Sequence, residues 1–242
     1  MDQKFRYIPS GDSAFIIKAG DDISPGTSQL VRKLLIRIEN EQIPGITDYI
    51  PSYNELMVCY NPLVTGFSEL SARLRSLETG LDNLELPESS VIHVPVLYGG
   101  DAGPDLAEVA QIHHLSLQEV IDIHSSPEYL VYMLGFMPGF CYLGGMDDAI
   151  ATPRKATPRV NIPAGSVGIA GSQTGIYPID SPGGWQLIGK TPVRLFDPDR
   201  EPVFLFRPGD RLRFIPVNEE KFHTISIEVA QGKFDRNKYK IS

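Results

Sequence analysis

Two arginines in a proline- and glycine-rich stretch, residues 153–192, are the residues best suited to chemistry. Arg154 and Arg159 each follow a proline, in a segment that carries few other charges. A guanidinium group on a rigid turn can hold a carboxylate or a phosphate through two parallel hydrogen bonds. The pattern therefore predicts that at least one of them binds an anion, with Lys190 as a further cation near the end of the segment. The alternative is that both arginines face solvent and pair with nearby aspartates.

Neutral polar residues of the same stretch could complete a binding site. Gln173, Tyr177 and Ser181 can exchange hydrogen bonds with an amide or a carboxylate. Trp185 could form the floor of a pocket, although a lone tryptophan is also typical of a protein core. These four residues are candidates for substrate binding.

Pro163 and Gly165 belong to the turns of this stretch and are further candidates for the lining of the pocket. Prolines and glycines recur so often that no long helix can form, so the chain must turn repeatedly between short strands. The apolar residues between the turns need burial. The pattern favours either the wall of a binding cleft or a tightly turned barrel wall without a ligand.

His124 is the candidate for proton transfer. It lies on the same face of a predicted helix as Leu117, Val120 and Ile121, which is also typical of a half-buried histidine with satisfied hydrogen bonds. Neither GGDAGPD nor GSQTG is directly followed by GK[ST], and neither GxSxG nor HExxH occurs in the sequence. Catalytic roles are thus predicted for His124, Arg154 and Arg159, and no metal ligands are predicted.

These candidates depend on elements that the sequence predicts in two different halves. In residues 1–88, two hairpins alternate with two amphipathic helices, the first of which begins at Ser24 and Pro25. A third strand region, residues 91–97, follows the second helix. This order predicts a small α+β domain with a ferredoxin-like plan.

Residues 89–242 are predicted to form a second, mostly β domain. Ser116 and Glu119 form a capping box at the start of a short junction helix, and strands and turns dominate after Gly135. A closed or nearly closed all-β barrel is the economical arrangement, because closure removes exposed strand edges. The tail from Asn218 is charged and is predicted to end in a mobile stretch.

Composition narrows the classes of partner. The chain of 242 residues has 22 lysines and arginines against 30 aspartates and glutamates, a formal net charge of −8. An acidic chain without a basic block is a poor binder of nucleic acid or of anionic membranes. Its two cysteines make neither a zinc framework nor a redox pair, and its N-terminal residues lack an apolar signal segment. A cytoplasmic protein is predicted.

Taken together, the longer motifs resemble a known family. The segments GFMPGFCYLGG and TPRKATPRVNIPAGSVGIAGSQTGIYPIDSPGGWQLIGKTP resemble the family of 5-oxoprolinase B subunits, also described as the Kip inhibitor or allophanate hydrolase subunit 1 family. The upstream HVPVLYGGDAGPDLAEVA resembles the domain-junction motif of that family. The resemblance implies an N-terminal α+β domain followed by a cyclophilin-like β-barrel.

The resemblance also implies an enzymatic function. B subunits of this kind act with a carboxyltransferase-like C subunit and with a separate A subunit to open 5-oxoproline to L-glutamate while hydrolysing ATP. ATP, with Mg²⁺, would be a co-substrate, and no bound metal or organic cofactor is expected. Arg154 and Arg159 would then hold the carboxylate or phosphate, while Gln173, Tyr177 and Ser181 would contact the lactam. The chain is expected to be inactive alone if the site is shared with the C subunit.

A regulatory function is the alternative that the same resemblance implies. Some members resemble inhibitors of a sporulation sensor histidine kinase that act through the cyclophilin-like barrel. An apolar groove around the GFMPGF turn, made for a proline-containing peptide, would fit that role. Prolyl isomerase activity is a third and weaker interpretation, because a fold does not carry a function.

Overall fold

The computed structural model describes residues 5–233 and 240–241. The chain divides into two compact units, Met1–Glu88 and Ser89–Ser242. The assignment of residues 1–88 and 89–242 as two domains stays a prediction.

The first unit is a four-stranded antiparallel sheet with two helices. The strands lie in the order β1-β2-β4-β3. The bounds of its elements are β1 (Arg6–Pro9), β2 (Ala14–Lys18), α1 (Pro25–Glu41), β3 (Ile46–Pro51), β4 (Glu55–Tyr60) and α2 (Phe67–Ser76). Helix α1 begins where the sequence predicts, because the hydroxyl of Ser24 accepts a hydrogen bond from the amide of Thr27 at 3.2 Å and Pro25 opens the first turn.

The core of the first unit is formed where the helices cover the sheet. Phe15, Leu34, Leu56 and Leu70 are buried together in one apolar cluster. A ferredoxin-like plan is not confirmed for this unit. The strand that the plan places after the second helix begins at Val91, and that residue belongs to the other unit.

The second unit is a mixed sheet that is nearly closed into a barrel. Its strands lie in the order β10-β9-β12-β5-β13-β6-β7, and β14 pairs with β5. These strands and the ribbon of β8 and β11 are β5 (Val91–Tyr98), β6 (Tyr129–Leu134), β7 (Cys141–Gly144), β8 (Arg159–Ile162), β9 (Ser166–Ala170), β10 (Gln173–Ile176), β11 (Ser181–Gly183), β12 (Gln186–Lys190), β13 (Arg211–Pro216) and β14 (Lys240–Ile241). Strand β10 packs beside β7, which brings the two ends of the sheet together.

The prediction of an all-β second domain is only partly right. Strands β5 and β13 are parallel, from Val91 opposite Arg211 to Val96 opposite Pro216. The unit also contains α3 (Leu106–Ile112), α4 (Leu117–Ser125) and α5 (Glu219–Ala230). The near-closed sheet is confirmed, and the unit as a whole is mixed.

Strand β5 runs through Pro95, although proline lacks the amide hydrogen that a strand ladder uses. On one side of β5, β14 pairs with Val91 and Ile92, and β12 pairs with Leu97 and Tyr98. Pro95 falls in the gap between these two partners. A residue without an amide hydrogen is tolerated there because no ladder hydrogen bond is required on that side.

Helix α3 is held directly against β12 by the glycine loop that precedes it. The Asp105 amide donates to the carbonyl of Leu187 at 2.8 Å, and the amide of Leu187 donates back to the Asp105 carboxylate at 2.7 Å. A Cβ atom on Gly103 would lie 2.0 Å from the carbonyl oxygen of Ile188, so only glycine allows this approach.

The other two helices of the unit differ in how well the local sequence predicts them. The capping box of α4 is confirmed, because Ser116 and Glu119 exchange both hydrogen bonds. Helix α5, residues 219–230 of the tail, was not predicted from the sequence. Only Ile225 of α5 is buried, so its helical hydrophobic pattern is weak. The charged residues 234–239 lie outside the described residues.

Candidate functional site

The proline- and glycine-rich stretch folds into β8 to β12 and forms most of a cleft of about 280 Å³. We call it the aromatic cleft. Its lining consists of Phe136, Phe140, Tyr142, Arg154, Gln173, Tyr177, Pro182, Gly183, Gly184 and Trp185. Five of these side chains are aromatic, one is a cation and none is a carboxylate, so the cleft suits a compact, partly apolar ligand that is neutral or negative.

The floor of the aromatic cleft is built from rings in edge-to-face contact. The indole of Trp185 lies 5.7 Å from the ring of Phe140 and 6.0 Å from that of Tyr177, both nearly perpendicular. Gly175 lies beneath these rings, where a Cβ atom would be 3.1 Å from the indole and 3.3 Å from Phe140. The absence of a side chain at Gly175 therefore lets the rings pack down onto β10.

Polar groups enter the aromatic cleft from three residues that the sequence predicted. Arg154 is exposed at the rim, Gln173 is half-buried, and Tyr177 is almost fully buried. Burial raises the pKa of Tyr177, although the nearby charges of Arg154 and Arg159 oppose the shift. The phenol therefore stays protonated at neutral pH and can donate a hydrogen bond.

Arg159 does not line the aromatic cleft but supports it from behind. Its guanidinium donates to the carboxylate of Asp105 at 2.7 Å and to the backbone carbonyl of Trp185 at 3.3 Å. Lys155 approaches the same carboxylate at 3.0 Å. Burial raises the pKa of Asp105, but hydrogen bonds from Arg159, Leu187 and Lys155 outweigh it and the net shift is downward. The charged Asp105 thus ties the backbone around Trp185 to the start of α3.

Three further predicted residues lie outside the lining. Ser181 precedes the Pro182–Gly183 segment of the lining, and its buried hydroxyl has no hydrogen-bond partner among the described residues. Pro163 is exposed, and its carbonyl accepts a hydrogen bond from the hydroxyl of Ser166.

Gly165 lies instead in a second cavity of about 290 Å³, which shares no lining residue with the aromatic cleft. This second cavity also contains Lys190 and Arg194, at the far end of β12 from Trp185. The stretch therefore contributes to two separate concave sites.

His124 lies inside the barrel, away from the lining of the aromatic cleft. Its ring is fully buried, with Nδ1 2.8 Å from the hydroxyl of Tyr98 and Nε2 2.7 Å from that of Thr174. Burial lowers the pKa of His124 to about 3, so the ring is neutral at physiological pH. Its predicted catalytic role stays a prediction, since both ring nitrogens are occupied by hydroxyl groups of the chain itself.

Sequence reasoning missed two parts of the site. Asp105 is not among the site residues predicted from the sequence, although an acid beside a glycine loop was a usable signal. Phe136, Phe140 and Tyr142 come from the GFMPGF segment, which predicted an apolar turn or groove but not its junction with Trp185. Phe136 is 74% exposed and has a φ of 64°, an uncommon conformation for a bulky residue.

Neither a metal cluster nor a membrane span is found within residues 5–233 and 240–241. In that part of the chain no group of three or more His, Cys, Asp or Glu side chains is arranged to hold a metal ion. None of its helices is both long and apolar enough to cross a membrane.

Comparison with known proteins first defines the class. The family model described as carboxyltransferase domain, subdomain C and D, matches residues 5–206. The chain belongs to this family, and its near-closed mixed sheet is a carboxyltransferase-like fold.

Individual relatives then narrow the assignment. The B subunit of 5-oxoprolinase from Bacillus subtilis (strain 168) is 45% identical over 238 residues, which cover 94% of this chain and 99% of that protein. The protein of the same name from Escherichia coli O157:H7 is 43% identical over 217 residues, 90% of this chain and 98% of that protein. The resemblance to the family of 5-oxoprolinase B subunits is thereby confirmed.

A solved structure gives the same picture at the level of the fold. The crystal structure of TTHA0988 superimposes with a TM-score of 0.75 at 39% identity and covers 86% of this chain. This chain spans only 40% of TTHA0988, so that protein contains a further part with no counterpart here.

Proposed function

We propose that this chain is the B subunit of an ATP-dependent enzyme that opens 5-oxoproline to L-glutamate, together with an A and a C subunit. The names of relatives that match almost its whole length support a subunit of a hydrolase complex. The observation that carries the substrate assignment is the aromatic cleft, where the described lining residues include one cation, Arg154, and no carboxylate.

The aromatic cleft fits 5-oxoproline in size and in chemistry. This substrate is a five-membered lactam with one carboxylate, and a volume of about 280 Å³ is near the lower end of small-molecule sites. Arg154 would hold the carboxylate, and Gln173 and Tyr177 would hydrogen-bond the lactam. The ring would lie against Trp185 and Phe140.

In the proposed reaction, the γ-phosphoryl group of ATP moves to the lactam oxygen and ADP leaves. Water then adds to the activated carbon and the carbon–nitrogen bond breaks, which leaves γ-glutamyl phosphate, and the ring nitrogen takes up a proton to become the amino group. A second water hydrolyses this acyl phosphate, so that phosphate departs and glutamate is released. The phenol of Tyr177, which stays protonated, would donate a hydrogen bond to the oxygen on which charge develops. The A and C subunits would supply the groups that this chain lacks, and the nucleotide site is left to the assembled complex.

In this proposal, neither Arg159 nor His124 contacts the substrate. Arg159 is already engaged by Asp105, so it would shape the wall rather than bind substrate. His124 is not used as a base, because its ring lies inside the barrel with a hydrogen-bond partner at each nitrogen.

The test is reconstitution of the three subunits with ATP, Mg²⁺ and 5-oxoproline. Release of ADP and glutamate should require all three chains, and this chain alone should be inactive. In the complex, Arg154→Ala should raise the KM for 5-oxoproline at least tenfold, whereas Arg213→Ala, on an exposed position of β13, should leave it unchanged.

A different result would overturn the assignment. A full mixture that releases no glutamate would remove the oxoprolinase function and move attention to inhibition of histidine-kinase autophosphorylation. Normal turnover by Arg154→Ala would remove the aromatic cleft from the reaction even if the complex is active.

A further inference from the structure

The buried ring of His124 links α4 to β10, the strand beneath the aromatic cleft. Its Nε2 is 2.7 Å from the hydroxyl oxygen of Thr174, and its Nδ1 is 2.8 Å from that of Tyr98. The hydroxyl of Thr174 continues the chain to the backbone carbonyl of Gly168 on β9 at 3.1 Å. Four groups therefore form one buried row of hydrogen bonds.

The direction of these hydrogen bonds follows from their chemistry. The carbonyl of Gly168 can only accept, so the single hydroxyl proton of Thr174 is donated to it. Thr174 must then accept from His124, which places the ring proton on Nε2. The unprotonated Nδ1 accepts from the hydroxyl of Tyr98, and the ring is the neutral Nε2–H tautomer.

This row ends next to the floor of the aromatic cleft. Thr174 lies between Gln173, which lines the cleft, and Gly175, which supports the rings of Trp185 and Phe140. Among the described strands β10 pairs only with β9, so the backbone ladder holds it on one side. The hydrogen bond from His124 supplies a second attachment from the barrel interior.

We propose that His124 is a positioning residue that fixes β10, and with it the floor of the aromatic cleft. The ring packs 4.4 Å from that of Phe214, and the hydroxyl of Tyr129 donates to the backbone carbonyl of His124 at 2.7 Å. The ring is thus held on several sides and acts as a fixed strut. The inference concerns the cleft itself and does not depend on which ligand the cleft takes.

Nitrogen-15 NMR of the histidine rings tests the tautomer directly. His124 should show a neutral ring with the proton on Nε2, unchanged between pH 7.5 and pH 5. A proton on Nδ1, or titration of this ring within that range, would overturn the directed row of hydrogen bonds. This readout does not require substrate or partner subunits.

Trp185, the only tryptophan of the chain, reports on the floor of the cleft. Thr174→Val removes the acceptor for His124 and should shift the Trp185 emission to longer wavelength and increase its quenching by acrylamide about twofold. Thr174→Ser restores the hydroxyl and should behave as the wild type. Thr191→Val is the matched control, because Thr191 is equally buried and hydrogen-bonded but lies at the far end of β12.

These variants distinguish a local effect on the floor of the cleft from a general loss of protein stability. A shift in Thr174→Val that is absent from the other two variants supports the proposal. An unchanged spectrum in Thr174→Val, or an equal shift in Thr191→Val, would overturn it. If Thr174→Val fails to fold, His124→Leu, which removes the donor, should shift the Trp185 emission, whereas His124→Gln, which keeps a donor of similar reach, should not. Equal emission from these two variants would overturn the proposal.

The second cavity is lined by positively charged side chains. The described residues that line it include the two cations Lys190 and Arg194 and no carboxylate, in a chain whose net charge is −8. Among the described residues Lys190 forms no ion pair, and Arg194 has only a loose one with Asp197 at 3.6 Å. The lining also includes the apolar residues Phe222 of α5 and Pro178.

We infer that the second cavity binds a phosphate ester with an apolar or planar group. Two cations match a phosphate dianion better than a single carboxylate, and the ring of Phe222 offers a face to the rest of the ligand. Gly165, with a φ of 84°, forms part of the lining, and a Cβ atom there would lie 2.3 Å from the carbonyl oxygen of Thr191, so only glycine allows this close approach.

Titration calorimetry with three small probes tests this assignment. Phenyl phosphate should bind at least tenfold more tightly than benzoate or inorganic phosphate. Lys190→Gln should weaken phenyl phosphate at least tenfold, whereas Arg154→Ala, in the aromatic cleft, should leave it unchanged. No binding of phenyl phosphate at millimolar concentration, tighter binding of benzoate, or loss of binding in Arg154→Ala would each overturn it.

Discussion

The interiors of the two units differ in what they bury. Among the described residues of the first unit, the buried polar side chains are small hydroxyls: Thr27, Ser28 and Ser71. The second unit buries ionisable and amide groups as well: Asp105, His124, Gln186 and Asp210, together with Thr152, Ser166, Thr174 and Thr191. Both units are otherwise built around apolar clusters.

This difference indicates where specific chemistry is built into the chain. An apolar core stabilises a fold by area and packing, and it tolerates volume-conserving exchanges. A buried charge or imidazole is retained at a desolvation cost and needs defined partners. In the second unit, Asp105 and His124 each have such partners, which link Asp105 to the backbone around Trp185 and His124 to β10.

Phe15→Ala should give the largest loss of stability, and it tests the apolar side of the comparison. Phe15 is fully buried in the first unit, with the ring of Phe67 at 5.5 Å. Removing such a ring costs about 3–5 kcal/mol. Because no carboxylate or histidine is buried among the described residues of this core, the loss should be the same at pH 7 and pH 5, measured by urea unfolding with far-ultraviolet circular dichroism.

The control for Phe15→Ala is the fluorescence of Trp185, which reports only on the second unit. Its urea transition should stay where it is in the wild type. If the transitions seen by circular dichroism and by Trp185 fluorescence both move to lower urea concentration, the two units unfold together. The stability of each core could then not be compared separately.

Asp105→Asn should give the second-largest loss of stability, because it removes the charge that pairs with Arg159 and Lys155. Loss of one partner of a buried ion pair costs about 3 kcal/mol, read from the urea transition of Trp185. Since the pKa of Asp105 is lowered in the folded chain, its contribution is complete above about pH 4 and is lost as the pH falls through that lowered value. The gap between variant and wild type should therefore narrow in acid.

Glu108→Gln is the matched control for Asp105→Asn. Glu108 pairs with the same Lys155 at 2.7 Å, but its side chain is half exposed. An exposed pair contributes less than about 1 kcal/mol. Equal effects of the two substitutions would show that burial of Asp105 is irrelevant.

His124→Asn should change the pH dependence of stability more than its value at pH 7. The pKa of His124 is lowered to about 3 in the folded chain, against about 6.5 when unfolded. Below pH 6.5 the unfolded chain binds a proton that the folded chain does not. The free energy of unfolding therefore decreases by about 1.4 kcal/mol for each unit by which the pH is lowered. The variant should lose this slope between pH 6 and pH 4.

His223→Asn provides the comparison for that slope, because His223 is exposed on α5. It should leave the pH dependence of unfolding as in the wild type. A slope that persists in His124→Asn would mean that another group causes the acid sensitivity of the second unit.

Arg154→Ala should have the smallest effect on stability. The side chain is exposed at the rim of the aromatic cleft, and such substitutions usually change the free energy of unfolding by less than about 0.5 kcal/mol. Its effect should appear instead in ligand use. A loss comparable to that of Asp105→Asn would place Arg154 among the structural charges and not at a binding site.

Local signals explain how much could be predicted from the sequence. Helices α1 and α4 begin at Ser24 and Ser116 because a cap needs only neighbours within four residues. Arg154, Gln173, Tyr177 and Trp185 could be grouped because one turn-rich stretch carries all of them. The family resemblance rested on the order of rare residues and extended further than any single motif.

The missed features depend on contacts between distant parts of the chain. Arg159 is engaged by Asp105, 54 residues earlier, and His124 by Thr174, 50 residues later. The contribution of Phe140 requires β7 and β10 to meet at the closure of the sheet. No local pattern states which of several possible partners a buried charge or ring will find.

The close approach of Gly103 to β12 has a genetic consequence. The atom that any side chain at this position would meet is a main-chain carbonyl, that of Ile188, and not another side chain. A substitution at Gly103 therefore has no obvious single-residue suppressor, since exchanging Ile188 would leave its carbonyl in place. In a selection for revertants, we expect restoration of glycine itself to predominate over second-site mutations.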